Sequence, residues 1–283
     1  MVNSFSPKSL DEALKALKNH DYIPYAGGTD INSANISGRD IMFIGKIPEL
    51  KTVKKEDGFI KIGACVTYAE AEKCGLIPTV FKEALKKVAS PAIRNLGTYG
   101  GNLGNASGKA DSALVIIVLD GIIHIRSAGG ERFVPAKEFY KGYRQIDLNP
   151  DELITEILIP DRDYYENFYY DKISIRTSVA ISNVTVAALW NIKNDVLKDF
   201  ALGIGSATDT PIRCKDIEDA FRGRRLDEIT PVYEGILEKY TEHIKMNPDR
   251  TSVYYRKRVI RNLLDYFIYS ELTPIDINDI KEI

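Results

Sequence analysis

Two pairs of adjacent glycines stand among residues that could bind a phosphate group. The first pair lies in the segment Tyr25-Ala26-Gly27-Gly28-Thr29-Asp30-Ile31. The second pair lies in the segment Thr98-Tyr99-Gly100-Gly101-Asn102-Leu103-Gly104-Asn105. Adjacent glycines allow the backbone to turn tightly and to present successive N–H groups to an anion. Threonine hydroxyls and asparagine amides add further donors, so the two turns together predict a clasp around the paired phosphates of a dinucleotide.

Neither turn is specific by itself, because a Gly-Gly pair after a strand is more often just a turn. Neither ends in the Gly-Lys-Ser/Thr of the phosphate-binding loop, and no G-x-G-x-x-G opens a helix here. A nicotinamide-binding Rossmann domain is therefore disfavoured.

Composition narrows the possible functions. The 283 residues carry a formal net charge of −2, with 44% hydrophobic and 28% charged residues. Nucleic-acid binding is not expected, because the chain lacks the basic surface that a phosphate backbone requires. No apolar run approaches the ~20 residues that cross a bilayer, and the first residues do not resemble a signal peptide. No membrane association is expected, and the cytoplasm is the expected location.

The sequence predicts no metal site and no nucleophilic catalyst in this chain. Its three cysteines and three histidines are scattered, without the spacing of metal ligands or of a disulfide framework. Cys65 lies in an apolar run and is interpreted as a small core residue. No catalytic triad or carboxylate dyad is evident either.

The predicted strands and helices around the two turns do not alternate regularly along the chain. A strand predicted over residues 22–25 precedes the first turn, and the second turn lies in a polar stretch, 95–108, that is expected to remain outside the core. A tyrosine-rich stretch, 161–167, marks a domain boundary. Beyond it, strands predicted over 184–192 and 196–204 form a hairpin, and helices follow. This order favours the α+β class over a doubly wound parallel sheet.

Seven motifs occur along the chain in a recognisable order: Ala26-Gly27-Gly28-Thr29-Asp30, Gly63-Ala64-Cys65-Val66-Thr67, Ser90-Pro91-Ala92-Ile93-Arg94-Asn95-Leu96-Gly97-Thr98-Tyr99-Gly100-Gly101-Asn102, Ala110-Asp111, Tyr170-Asp171-Lys172, Thr210-Pro211-Ile212-Arg213 and Tyr255-Arg256. In this order they resemble the FAD-binding subunits of the molybdenum hydroxylases, the family of xanthine dehydrogenase and carbon monoxide dehydrogenase. The resemblance covers nearly the whole chain and is nearest to the xanthine dehydrogenase subunit.

The resemblance implies a two-subdomain FAD-binding fold of the vanillyl-alcohol-oxidase (PCMH) type over residues 1–165, divided near residue 55 into 1–55 and 56–165. A small α+β domain of the CO dehydrogenase flavoprotein type, with an antiparallel sheet and helices, is expected over 168–283. FAD would lie extended between the two subdomains.

The resemblance also implies which residues contact FAD. The two turns would hold the diphosphate through Ala26, Gly27, Gly28, Thr29, Asp30, Ile31, Thr98, Gly100, Gly101, Asn102 and Asn105. Asp111 would accept a hydrogen bond from a ribitol or ribose hydroxyl, and a helix N-cap is the alternative or additional role.

Three further positions are assigned to the flavin ring or its surroundings. Leu153 or Ile154 would pack near the isoalloxazine ring, with a plain core position as the alternative. Lys172 would stabilise negative charge on the reduced ring, with a solvated surface lysine as the alternative. Arg176 would border the route of the electron acceptor.

The sequence departs from the family pattern at two positions. Gly108 replaces a proline that many members carry, which leaves FAD binding plausible and is expected to make the loop more flexible. Tyr99 stands where aliphatic residues are common, and tyrosine there is similar to the branch that oxidises purines.

The function implied is electron transfer within a hetero-oligomeric molybdenum hydroxylase. A small partner subunit would carry 2Fe-2S clusters and a large one molybdopterin, and FAD would pass electrons to NAD or another acceptor. Two alternatives are a free-standing flavin reductase of the same fold and a flavin-binding assembly module without turnover. The substrate of the complex stays open.

Overall fold

The computed structural model describes residues 3–31, 36, 38–161, 167–174, 182–213, 215–242 and 253–273. In chain order its strands and helices are β1 (Ser4–Phe5), α1 (Leu10–Asn19), β2 (Tyr22–Tyr25), β3 (Asp40–Phe43), β4 (Val53–Glu56), β5 (Phe59–Gly63), α2 (Tyr68–Lys73), α3 (Thr79–Lys86), α4 (Pro91–Arg94), α5 (Tyr99–Gly104), α6 (Asp111–Val118), β6 (Ile122–Ser127), β7 (Gly130–Pro135), α7 (Ala136–Phe139), β8 (Tyr140–Gly142), β9 (Gln145–Ile146), β10 (Leu153–Pro160), β11 (Asn167–Ser174), β12 (Ser182–Lys193), β13 (Val196–Gly205), β14 (Ile212–Arg213), α8 (Lys215–Phe221), α9 (Ile229–Glu242) and α10 (Val253–Tyr266). The α+β class is confirmed.

The N-terminal subdomain is a small parallel sheet with one helix against it. Its strand order is β1-β3-β2, and both pairs are parallel. Helix α1 is capped by Ser9, whose hydroxyl accepts the Glu12 N–H at 3.2 Å. The apolar stripe of α1 packs on Met42, Ile47 and neighbouring residues. This packing fixes the end of β2, from which the first glycine turn departs.

The second subdomain is an antiparallel sheet covered by helices. Its strand order is β4-β5-β10-β6-β7. One sheet face carries isoleucines at alternate positions, such as Ile60 and Ile62 on β5, and these lie in the same core as helices α3, α5 and α6. This alternation is what a sheet with one buried face requires. The second glycine turn opens α5, so it is held between this sheet and its helices.

The C-terminal domain is a second antiparallel sheet, ordered β11-β12-β13-β14. The predicted hairpin is confirmed by β12 and β13, which pair from Lys193↔Val196 to Thr185↔Gly205. Helices α8, α9 and α10 share a core with side chains of this sheet such as Trp190 and Phe200.

Helix α6 lies between the two sheets and joins the domains. All eight of its residues are buried, which explains why its sequence is apolar on every side. At Gly203 on β13, an added Cβ would lie 2.7 Å from the side chains of both Leu114 and Val118, so the strand backbone touches the helix. One core therefore includes residues of both domains, such as Ala187 and Ile157.

Two details differ from the sequence interpretation. The polar stretch 95–108 was expected outside the core, but Tyr99 and Leu103 are fully buried on the inner face of α5. At Gly108, a Cβ would lie 2.2 Å from the backbone oxygen of Asp209, and the Ser206 N–H donates to the Gly108 oxygen at 3.2 Å. Glycine is required there by the close approach of the two domains, and this contact restrains the loop.

Candidate cofactor-binding site

The first glycine turn presents backbone donors that have no partner among the described residues. The N–H groups of Gly27, Gly28 and Thr29 donate no hydrogen bond to any group in the described part of the chain. Gly28 has a φ of +71°, a left-handed conformation that glycine adopts without strain. Thr29 is exposed, so its hydroxyl is available beside these amides.

The first turn packs directly on the segment that leads into the second. At Gly27, an added Cβ would lie only 1.7 Å from the backbone oxygen of Leu96. On the other side of the turn, Asn105 donates its Nδ2 to Asp30 Oδ2 at 2.7 Å. The two glycine turns, distant in sequence, are thus held together at both ends.

The second turn does not repeat the backbone arrangement of the first. Thr98 is the N-cap of α5, and its Oγ1 accepts the Gly101 N–H at 3.1 Å. The Gly100 N–H donates to Ala64 O at 2.8 Å, and the Asn102 N–H donates to Thr98 O at 3.0 Å. These backbone N–H groups are therefore hydrogen-bonded within the protein. The expectation that both turns present successive N–H groups to an anion is wrong for the second turn.

The glycine at position 100 serves packing. Its missing Cβ would lie 2.6 Å from Ala64 Cβ and 2.9 Å from Ala64 O, which is closer than side chains pack. The strand end that carries Ala64 can approach α5 only because this position has no side chain. What the second turn offers to a ligand is mainly side-chain chemistry, from Asn102 and Asn105.

A buried hydroxyl network supports Asn102, and the sequence analysis missed it. Ser112 Oγ donates to Asn102 Oδ1 at 2.6 Å, and Tyr68 Oη lies 3.1 Å from Ser112 Oγ. Ser112 and Tyr68 are 1% and 3% exposed. No local pattern marks these residues, since Ser112 sits in an apolar helix and Tyr68 in a short helix 44 positions earlier.

Asp111 and Lys172 form a buried ion pair between the two domains. Lys172 Nζ lies 2.7 Å from Asp111 Oδ2, and the two side chains are 5% and 8% exposed. Lys172 Nζ also donates to the backbone oxygen of Lys87 at 3.0 Å, and Thr185 Oγ1 donates to Asp111 Oδ1 at 3.4 Å. The alternative of a surface lysine is therefore wrong.

The alternative role of Asp111 as an N-cap is also wrong, because Ala110 occupies the cap position of α6 without a side-chain hydrogen bond. Burial raises the pKa of the neighbouring Tyr170 hydroxyl, and the negative charge of Asp111 adds to this shift. Asp111 thus lies in a buried polar cluster at the domain boundary.

The remaining predicted residues lie at different places. Leu153 is buried at the start of β10 and belongs to the core of the N-terminal subdomain, whereas Ile154 belongs to the core of the second. Ile31 lies at the end of the described part of the first turn. Arg176 falls outside the described residues. Contact of Leu153 or Ile154 with a flavin ring stays a prediction.

Cys65 is a core residue, as predicted. It is 2% exposed, its Sγ donates to Ile44 O at 3.6 Å, and burial raises the pKa of the thiol to about 12. Within the described ranges, no group of three His, Cys, Asp or Glu side chains could hold a metal ion. Nor is any described helix both long and apolar enough to cross a membrane.

The donors present fit the diphosphate of FAD. Three backbone N–H groups without a partner in the described ranges, the Thr29 hydroxyl and the Nδ2 group of Asn102 lie on adjoining segments. Successive backbone N–H groups can bind an anion without a lysine or arginine. At Gly28, an added Cβ would lie 2.0 Å from Tyr25 Oη, so glycine is required there by the packing of Tyr25 as well as by its positive φ.

Comparisons with known proteins identify the family. Residues 1–162 match the family model described as "FAD binding domain in molybdopterin dehydrogenase", and residues 168–270 match "CO dehydrogenase flavoprotein C-terminal domain". Among curated relatives, the glyceraldehyde dehydrogenase medium chain of Sulfolobus acidocaldarius is 29% identical over 90% of this chain and 93% of its own length. The xanthine dehydrogenase FAD-binding subunit of Escherichia coli is 30% identical over 75% of this chain and 77% of its own.

A solved structure, CO dehydrogenase from Oligotropha carboxidovorans, has the same fold, with a TM-score of 0.85 at 21% identity over 93% of this chain and 95% of that one. The two-domain FAD-binding fold is therefore confirmed. Since the first family model alone spans more than half of the chain and the relatives align across both domains, the chain belongs to the FAD-binding medium subunits of the molybdenum hydroxylase family.

Proposed function

We propose that this chain transfers electrons within a hetero-oligomeric molybdenum hydroxylase. In this proposal a small partner subunit with 2Fe-2S clusters supplies electrons, and a large molybdopterin-binding subunit oxidises the substrate. The electrons leave this chain for an acceptor such as NAD. The expected location of the complex is the cytoplasm, which cell fractionation would check.

The observation that carries the proposal is the joined pair of glycine turns. The N–H groups of Gly27, Gly28 and Thr29, which have no partner among the described residues, and the Asn102 amide lie on segments that are joined at the contact of two subdomains. Bound FAD supplies redox chemistry, since a flavin accepts electrons singly and releases them as a pair. The protein's part is to bind the diphosphate and to set the surroundings of the ring.

The buried pair of Asp111 and Lys172 suits a position beside the cofactor. We propose that Asp111 accepts a hydrogen bond from a ribitol or ribose hydroxyl while it orients the Lys172 ammonium at 2.7 Å. A lysine held in this way places a positive charge in a site from which water is largely excluded, where it acts more strongly than in solvent. Leu153 or Ile154 is proposed to contact the ring from β10.

The names of the relatives support the proposed composition of the complex. The Sulfolobus acidocaldarius relative is called a medium chain, and the Escherichia coli relative is called a FAD-binding subunit. Names of this kind imply further subunits in those enzymes, and we propose a similar assembly for this chain.

The test is anaerobic stopped-flow spectroscopy of the chain loaded with FAD. Mixing with a co-purified iron–sulfur partner in its reduced form is expected to bleach the flavin absorbance, and later addition of NAD is expected to restore it. Bleaching without recovery would support another acceptor. An absence of bleaching would contradict the proposal and favour an assembly module. Turnover of an organic substrate by the isolated chain would favour the free-standing reductase.

A further inference from the structure

We propose that Ser112 and Tyr68 are positioning residues for FAD: their buried hydroxyls hold the Asn102 side chain with its Nδ2 group turned toward the diphosphate. The inference rests on the proposed role of Asn102 in binding that diphosphate.

Three helices contribute one residue each to this series of hydrogen bonds, which we call the relay. Tyr68 begins α2, Asn102 lies on α5, and Ser112 is the second residue of α6. The Ser112 Oγ to Asn102 Oδ1 distance is 2.6 Å, and the Tyr68 Oη to Ser112 Oγ distance is 3.1 Å. The Tyr68 ring packs edge-on against Tyr99, with centroids 5.2 Å apart, so its position is fixed by the core.

Each hydrogen bond of the relay has a defined donor and acceptor. A serine hydroxyl has one proton to donate, and Ser112 gives it to the carbonyl oxygen of Asn102. The hydrogen bond between Tyr68 and Ser112 must then be donated by the tyrosine. Burial raises the pKa of Tyr68, which keeps this proton on the phenol at neutral pH. The relay therefore runs from Tyr68 through Ser112 to Asn102.

This direction decides what Asn102 offers to a ligand. Its oxygen is held by Ser112, so its Nδ2 group is left for a ligand, and Nδ2 donates to no other group in the described part of the chain. Asn105 lies three residues further along the same helical face and is hydrogen-bonded to Asp30 of the first turn. Asn102 is therefore on the side of α5 that adjoins the first turn.

Without the relay, the carboxamide can rotate and present its oxygen instead. An oxygen that faces a phosphate repels it, whereas an N–H donor forms a charge-assisted hydrogen bond. We therefore expect loss of Ser112 to weaken FAD binding about as much as loss of Asn102 itself, about tenfold or more. Loss of the Tyr68 hydroxyl acts one step further away, so its effect is expected to be smaller.

The experiment measures FAD affinity of the full-length chain after its flavin has been removed. Flavin-fluorescence titration compares the wild type with Ser112→Ala, Tyr68→Phe, Asn102→Ala and the double variant Ser112→Ala/Asn102→Ala. The expected result is about tenfold weaker binding for each of the two single alanine variants, with no further loss in the double variant. Thr155→Val is the control, because it removes a buried hydroxyl bonded to His124 O on the sheet and should leave FAD affinity unchanged.

Three results would overturn the inference or its basis. Unchanged affinity in Ser112→Ala together with weakened binding in Asn102→Ala would remove the relay and keep the role of Asn102. Unchanged affinity in Asn102→Ala would remove the proposed role of Asn102 itself. Additive losses in the double variant would show that Ser112 acts through the fold alone. Should Ser112→Ala fail to fold by circular dichroism, a normal FAD affinity in Tyr68→Phe would overturn the relay in its place.

Discussion

Gly27-Gly28 and Gly100-Gly101 resemble each other in the sequence, yet their backbones are used differently. The N–H groups of the first turn have no partner in the described chain, whereas those of the second donate to Ala64, Val66 and Thr98. The backbone N–H groups of the first turn are thus available to a ligand, whereas those of the second serve the fold. A glycine pair in a sequence therefore indicates that some group packs closely on the backbone. Only the hydrogen-bond partners of its N–H groups show whether that group is a ligand or another segment of the protein.

Because the two turns differ, we expect variants of each to change different properties of the protein. Changes to the backbone packing of the second turn should lower the stability of the FAD-free protein. Changes in the first turn should lower FAD affinity, and at Gly27, whose Cβ would lie 1.7 Å from Leu96 O, stability as well.

The largest effect is expected at the ion pair that anchors α6 behind the second turn. Lys172→Met leaves Asp111 buried without its cation, and breaking a buried pair in this way costs about 3–5 kcal/mol. Chemical denaturation of the FAD-free chain measures the loss. The double variant Asp111→Leu/Lys172→Met should recover much of it, because no uncompensated charge remains. Equal losses in the single and double variants would contradict this explanation.

Gly100→Val tests the packing role of the second turn. The new side chain would overlap Ala64, and overpacking of this kind typically costs about 1–3 kcal/mol. The matched control is Gly104→Ala on the same helix, where an added Cβ meets no atom within 4 Å. This control should be neutral or slightly stabilising, since alanine favours helix more than glycine does. Equal unfolding midpoints for the two variants would show that the contact with Ala64 does not constrain the turn.

Gly27→Ala tests the ligand role of the first turn. Its Cβ would lie 1.7 Å from Leu96 O, so the turn must move away from the second segment and its donors must separate from Asn102. We expect FAD binding to weaken about tenfold, which corresponds to about 1.4 kcal/mol. Fluorescence titration measures this effect, with Gly75→Ala, a glycine with open space around it, as the control. Unaltered affinity would place the diphosphate elsewhere.

The smallest effect concerns the Cys65 thiol, which lies next to Ala64. Burial raises its pKa to about 12, so at pH 8 only about one molecule in ten thousand carries the thiolate. In a Cys74→Ser/Cys214→Ser background, a disulfide reagent should therefore react very slowly, and faster as the pH rises. Adding Gly100→Val should speed the reaction because it displaces Ala64. Rapid reaction of Cys65 in the unperturbed turn at pH 8 would contradict its burial.

The sequence predicted those features that depend on residues close together along the chain. The hairpin of β12 and β13 was readable because two long apolar runs flank Asn194 and Asp195, which adopt positive φ in the turn. The first turn was readable from its glycines. The order of motifs along the chain indicated the family and its cofactor.

The sequence could not predict contacts that depend on tertiary structure. Asp111 and Lys172 were each assigned to the flavin, but their mutual ion pair spans 61 positions and two domains. The relay through Ser112 was missed because a serine in an apolar helix has no distinguishing pattern. The second turn was misread because Ala64, the partner of Gly100, comes from a separate strand end.

The most direct test of the different roles of the two turns is a ¹H–¹⁵N amide titration of the FAD-free chain with ADP, which carries a diphosphate but no flavin. If the first turn binds the diphosphate through its backbone, large shifts are expected for the backbone amides of Gly27, Gly28 and Thr29 and for the Asn102 side-chain amide. The backbone amides of Gly100 and Gly101 should move little, because their hydrogen bonds are already made within the protein. Large shifts at Gly100 and Gly101 with none at Gly27 and Gly28 would contradict binding through the first turn.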